Sequence, residues 1–244
     1  MKRISILLMI AIGAFAQTAP PASAKKAATA PAKKQDPTPD RAPGLYWIIN
    51  TSMGTITAQL YEKEVPGAVA NFVALTRGTK AAKDKSGAMT KRPYFTNLTF
   101  HRVIPGFMIQ TGDGQQGDGT GDCGFTIKDE IVPTLKYDKP GVLGLARLDA
   151  RNTGACQFFI MDKTNKDYSY MNGQYTIFGQ VVDGQDVVGK IASVPAGAEN
   201  KPRTPVKLIS ATIKRYGPPP ASQATPAKKA ATPAPKKAAT PAKQ

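Results

Sequence analysis

Residues 100–114 read FHRVIPGFMIQTGDG: the chain's only histidine, an arginine beside it, and two short apolar runs divided by Pro105-Gly106. Successive side chains of an extended strand point to opposite faces. Arg102 is therefore expected to share a face with Phe100 and Leu98, with His101 turned the other way, so that the two cannot serve one site. The same alternation pairs Met108 with Gln110, and in QFFIMD (157–162) it pairs Gln157 with Phe159. One arginine, two amides and several Met and Phe side chains predict a shallow apolar pocket rimmed by hydrogen-bond formers. Such a pocket suits a peptide. No nucleophile, acid pair or metal-ligand cluster stands close by in sequence to make it hydrolytic.

Outward from this stretch the pattern is one of short strands. LYWIIN (45–50) and GTITAQLY (54–61), joined through the turn-sized TSMG (51–54), predict a hairpin. Further strands are expected over LTFHRVI (98–104), FMIQTG (107–112), GVLGLA (141–146), QFFIMD, YTIFGQVV (175–182) and PVKLISATIKRY (205–216). In VPGAVANFVALTRG (65–78) the apolar Val69, Phe72, Val73 and Leu75 fall on a helical stripe, opened by Pro66 and stopped by Gly78. GQDVVGKIASV (184–194) predicts a second helix, and the lysine-rich segment 80–92 reads as a surface loop. Eight short strands, joined largely by glycine-rich loops without regular helical crossovers, point to a closed antiparallel β-barrel with two α-helices, not a doubly wound fold. GDGQQGDGTG (112–121) has a superficial likeness to a phosphate cradle. It lacks the strand-to-helix setting and the lysine of a P-loop, and reads as a loop bordering the pocket.

The chain ends differ in composition. A basic start (Lys2, Arg3) leads into the apolar run Ile4–Phe15, and small-x-small patterns allow cleavage after Ala16 or Ala24, so residues 1–24 are expected to be a secretory signal peptide. The run breaks at Gln17 and Pro20, short of the roughly 20 apolar residues a membrane span requires. No cysteine follows it to carry a lipid. AKKAATAPAKK (24–34) and ATPAKKAATPAPKKAATPAKQ (224–244) are poor in side chains that could be buried, so 25–43 and 217–244 are expected to be a disordered linker and tail around a domain at 44–216. They contribute strongly to a net charge of +16, which could bring the protein to anionic surfaces; their plainer role is solubilising or spacing.

FHRVIPGFMIQTGDG, followed in order by GTGDCGF (119–125), GVLGLAR (141–147), QFFIMD and FGQVVDG (178–184), resembles the cyclophilin family of peptidyl-prolyl cis-trans isomerases. ARLDARNTGACQFF (146–159) is similar to the bacterial branch, which often carries Ala-Arg where many eukaryotic members carry Ala-Asn. The resemblance implies an eight-stranded antiparallel barrel capped by two helices, no cofactor and no metal. It assigns Arg102 to the prolyl nitrogen of the twisting amide and Gln110 to orienting that arginine. Phe107, Met108, Phe159 and Met171 would hold the proline ring, and Gln157 with the backbone at Ala146 and Arg147 would line the groove. Proline-containing peptides and unfolded exported proteins would be the partners of a monomeric enzyme; a peptide-binding chaperone or scaffold on the same barrel is the alternative.

Tyr170 and Tyr175, in YSYMNGQYTIFG (168–179), are also expected among the substrate-binding residues; they stand where many eukaryotic members have tryptophan and histidine, which implies weakened cyclosporin binding. His101 is expected to be packed and hydrogen-bonded inside the fold. Export to an oxidising compartment, together with the family's placing of the glycine-rich loop near the segment before QFFI, implies a Cys123–Cys156 disulfide.

Overall fold

A computed structural model describes residues 41–162 and 168–218. The expected signal peptide, the linker as far as residue 40 and the tail from residue 219 lie outside the described residues. The strands are β1 (Gly44–Thr51), β2 (Gly54–Leu60), β3 (Ala82–Lys83), β4 (Met89–Thr90), β5 (Thr96–Thr99), β6 (Arg102–Ile104), β7 (Met108–Thr111), β8 (Val142–Leu145), β9 (Phe158–Met161), β10 (Ile177–Asp183) and β11 (Lys207–Tyr216). Helix α1 spans Pro66–Arg77 and α2 spans Gln185–Ala192. Nine strands form one antiparallel sheet in the order β5-β11-β1-β2-β10-β8-β9-β7-β6, and β3 pairs with β4 alone.

The β1–β2 hairpin turns where expected. Thr51 Oγ1 donates to Gly54 O (2.7 Å), Met53 N donates to Thr51 Oγ1 (3.1 Å), and Gly54 takes φ +136°. Helix α1 starts at Pro66, whose missing N–H costs nothing there, and stops at Gly78 in the left-handed region (φ 70°). Its N-terminal cap comes from far along the chain: Gly67 and Ala68 N–H groups donate to the Glu130 carboxylate at 3.0 and 2.7 Å. A carboxylate there also opposes the positive end of the helix dipole. The helix buries Phe72 against Phe178 (stacked, 4.2 Å) and Trp47 (5.4 Å), and Trp47 is fully enclosed by Phe95 and Phe158 as well. Each such ring stabilises the fold by ~1.5–3 kcal/mol through burial.

The expected closed eight-stranded barrel is corrected to a curled, open sheet, a half-barrel. LTFHRVI is not one strand. Phe100 N donates to Val206 O (3.0 Å), whereas His101 N donates to Gln110 O (3.2 Å), so consecutive residues bond to opposite ends of the sheet. The two edge strands β5 and β6 are thus joined by the chain and not by a ladder. They are four and three residues long, and Asn97 at φ 54° distorts the first, leaving too little regular edge to pair.

The same break corrects the face assigned to Arg102. Leu98, Phe100 and Val103 enter the main core, so Arg102 lies on the opposite face from Phe100. The segment expected to be a plain loop at 80–92 contains the β3–β4 hairpin.

Candidate active site

Four strands present one cross-sheet row on the face away from the main core: Arg102 on β6, Gln110 on β7, Phe159 on β9 and Gly144 on β8 are register partners in turn. The neighbouring row, Ile104, Met108 and Met161, lies beside it. Gly144 is needed because the Phe159 ring and the Tyr137 hydroxyl occupy the space of any side chain there. Met108, Phe159, Met161, Met171 and Tyr168 form a second apolar cluster with Phe107, Ala146 and Tyr175 packed against it.

Over this cluster opens a pocket of about 130 Å³ lined by Arg102, Phe107, Met108, Gln110, Ala146, Arg147, Phe159, Met171 and Tyr175. The structure thus brings together nine of the eleven residues expected at the site. Phe107 is presented by a turn closed by its N–H to Ile104 O (3.0 Å), and its ring stacks on Tyr168 at 4.9 Å. Buried Asp162 accepts from Gly106 N (2.9 Å), and the Tyr168 hydroxyl donates to Gly106 O (2.6 Å), so both sides of that turn are held. The Arg102 side chain makes no hydrogen bond or ion pair among the described residues, which leaves its guanidinium donors available at the rim.

A larger groove of about 710 Å³ shares Gln110, Ala146 and Arg147 with the pocket and continues along Gly119–Thr126 and Ala155–Gln157. Gln157 Nε2 donates to the carbonyls of Gly119 (2.9 Å) and Gly121 (3.0 Å), and its Oε1 accepts from Gln110 Nε2 (3.2 Å). Gln110 is therefore fixed by Gln157, and no bond links it to Arg102 among the described residues. The glycine-rich wall is organised by Asp113. This buried carboxylate accepts from the N–H groups of Gln115, Gln116, Gly119 and Gly121 at 2.9–3.0 Å. Burial pushes its pKa up, but the backbone N–H donors prevail and hold it below the ordinary carboxylate value. Cys123 and Cys156 are joined across 33 residues, with Cα atoms 6.3 Å apart, and tie this wall to the segment before β9 that carries Gln157.

The sequence profile of cyclophilin type peptidyl-prolyl cis-trans isomerases (Pro_isomerase, "Cyclophilin type peptidyl-prolyl cis-trans isomerase/CLD") matches residues 46–213. The chain belongs to the cyclophilin family. It is 39% identical over 169 residues to the "Probable peptidyl-prolyl cis-trans isomerase A" of Mycobacterium leprae, covering 68% of this chain and 90% of that one. It is 36% identical over 172 residues to the "Peptidyl-prolyl cis-trans isomerase-like 1" of Aspergillus fumigatus, covering 70% and 96%. The crystal structure of a Cryptosporidium parvum cyclophilin type isomerase superposes with a TM-score of 0.60 at 30% identity, covering 70% of this chain and 98% of that one. The same protein in the presence of the dipeptide Ala-Pro gives 0.59 at 32%, covering 70% and 99%.

Within this cyclophilin fold, three expected details take a different form. Tyr170 is 66% exposed, packs its ring only at 6.3 Å from Tyr168, and lines neither cavity. His101 is buried, but neither ring nitrogen has a hydrogen-bond partner, and burial lowers its pKa. Arg147 contributes more than backbone: its buried guanidinium donates to the carbonyls of Gln174 (2.9 Å), Leu148 (2.7 Å) and Asp149 (2.6 Å), and lies 4.9 Å from the centre of the Tyr175 ring. Residues missed from the sequence are Asp113, Asp162 and Tyr168, which hold the site without lining the pocket. An aspartate opening a glycine-rich run was the readable signal for the first, because Asp side chains cap nearby turn N–H groups. Among the described residues no group of three or more His, Cys, Asp or Glu side chains could hold a metal ion.

Proposed function

We propose that the chain catalyses cis-trans isomerisation of X-Pro peptide bonds, with Arg102 stabilising the twisted amide. The observation that carries this is the unpaired Arg102 guanidinium on the rim of a pocket floored by Met108 and Phe159. Rotation about an amide has a barrier of ~18–20 kcal/mol because the nitrogen lone pair is delocalised into the carbonyl. For X-Pro the two end states differ by only about 0.5–1 kcal/mol. No bond has to break. Catalysis requires the lone pair to localise on nitrogen midway through rotation, and a charged donor aimed at that nitrogen favours the twisted state over either planar one. Phe107, Met108, Phe159 and Met171 hold the ring, Tyr175 flanks it, and Gln110 with Gln157 and the Ala146–Arg147 backbone hold the client chain. Adding the protein to an Ala-Pro peptide tests this by NMR exchange or a protease-coupled assay; unchanged exchange would reject it.

The reading extends to an exported folding factor. It rests on the basic start with its apolar run Ile4–Phe15, on the two cysteines, and on the lysine-rich ends outside the domain. The protein acts as a monomer on unfolded exported clients in the periplasm or outside the cell, after cleavage behind Ala16 or Ala24. The linker and tail serve as spacers that can also meet anionic surfaces.

A further inference from the structure

The β3–β4 hairpin stands beside the groove and is fastened to its glycine-rich wall. Lys83 N donates to Cys123 O (3.2 Å), the Lys83 ammonium pairs with Asp122 at 2.9 Å, and Met89 packs on Gly124 so closely that a Cβ there would lie 2.5 Å from its sulfur. Lys83 lines two cavities at once. On one side is the groove that holds Gln157; on the other is a separate cavity of about 490 Å³ lined also by Lys85, Arg92, Pro93, Tyr94 and Leu98. Asp84 is the only carboxylate in that lining, and its Oδ1 is already committed to the Ser86 N–H (2.8 Å) and hydroxyl in the hairpin turn. Lys85 has no partner among the described residues, and Arg92, 60% exposed, reaches Asp84 only at 3.6 Å. Lys83 faces Asp122 and Arg92 faces Asp84, so the three cations leave an excess of one positive charge, at Lys85.

Three cavities thus run in series. The pocket shares Gln110, Ala146 and Arg147 with the groove, and the groove shares Lys83 with the third cavity. A client chain running from the first two into the third would place there residues some distance from its proline. We propose that the β3–β4 hairpin forms a cationic subsite, made by Lys85 and Arg92 with Lys83 at its threshold, that takes an acidic side chain of the client. The enzyme then favours prolines flanked on one side by Asp or Glu. The subsite rests on the isomerase reading of the first two cavities.

The test uses the full chain and fluorescein-labelled proline peptides in which one Glu, or one Lys, is walked outward from the proline on either flank. About six positions cover ~20 Å of extended chain. Anisotropy should show binding about three- to tenfold tighter for Glu than for Lys at matching positions on one flank only, shrinking as salt shortens the screening length. Lys85→Glu should weaken that preference and Lys85→Glu/Arg92→Glu should reverse it, with kcat/KM for a neutral peptide unchanged. Attraction by the basic chain ends would ignore position and survive both variants. Equal affinity for Glu and Lys at every position, or a preference that survives the double variant, would overturn the subsite. Arg102→Ala separates the two readings: the subsite requires its Glu preference in binding to persist, whereas an undiminished isomerisation rate would refute the pocket's assignment alone.

Discussion

In the proposed mechanism Arg102 is the residue on which the chemistry turns. Arg102→Ala should lower kcat/KM by about 10²-fold, which corresponds to roughly 3 kcal/mol of transition-state stabilisation, while the melting temperature stays put because the guanidinium has no bonding partner among the described residues. Arg102→Lys should also be poor, since a point charge cannot replace a planar fork. Its neighbour gives a pH signature. Burial, then the charges of Arg102 and Lys201, lower the His101 pKa against the opposing pull of Asp113 and Asp118. The unfolded chain takes up that proton more readily, so the contribution to stability is full above about pH 6.5 and declines as pH falls below it, towards the folded-state value. Melting temperatures from pH 7 to 5 should fall, and His101→Gln should flatten the slope; equal slopes would remove His101 as the cause. Cyclosporin should inhibit weakly, and Tyr170→Trp should tighten it by adding an indole N–H donor; a titration giving identical inhibition of both forms would count against this. The faces of Met108, Gln110, Gln157 and Phe159 were legible in sequence because the chain is extended through β7 and from the residue before β9 into it. That of Arg102 was not: alternation fails at Phe100-His101, where the chain changes from one sheet edge to the other.

At the scale of elements, the strands that bury an apolar face, β1, β2 and β7 to β11, announced themselves by pattern. The β3–β4 hairpin did not, because Ala82-Lys83 and Met89-Thr90 have no apolar alternation and are held by tertiary contacts with the glycine-rich loop. The N-terminal cap of α1 was equally hidden, since Glu130 lies 63 residues from Gly67 and no local spacing marks it. The Cys123–Cys156 bridge joins that loop to the residues just before β9, and closing a loop of this length restricts the unfolded chain by ~4 kcal/mol in the entropy account. Reduction should therefore lower the melting temperature by several degrees and raise KM more than it lowers kcat, because Gln157 sits beside Cys156 while Arg102 lies on another strand. Thiol titration of denatured, unreduced protein from an oxidising compartment should find no free thiol; two reactive thiols would show that the bridge does not form there.

For the whole molecule, family, mainly β class and two helices were readable in the sequence, whereas closure was not: short edges and one residue at positive φ decide it, and neither has a compositional mark. Deleting residues 217–244 should leave isomerisation of a short peptide nearly unchanged, as measured by the same NMR exchange assay. A large loss would mean that the tail takes part in the site. The first and last strands bear on the tail's other possible role. Gly44 pairs with Tyr216, and Gly217 lies against Pro43, so the described residues next to the two lysine-rich ends lie within about one strand spacing of ~5 Å of each other. Two weak attachments that start from one point are bivalent: once either end has engaged an anionic membrane, the other is confined near it at high effective concentration. Removing either end alone should then cost most of the vesicle affinity at low salt, and a mixture of two singly truncated proteins should not restore it. The protein would be tethered by one corner, free to pivot while clients pass.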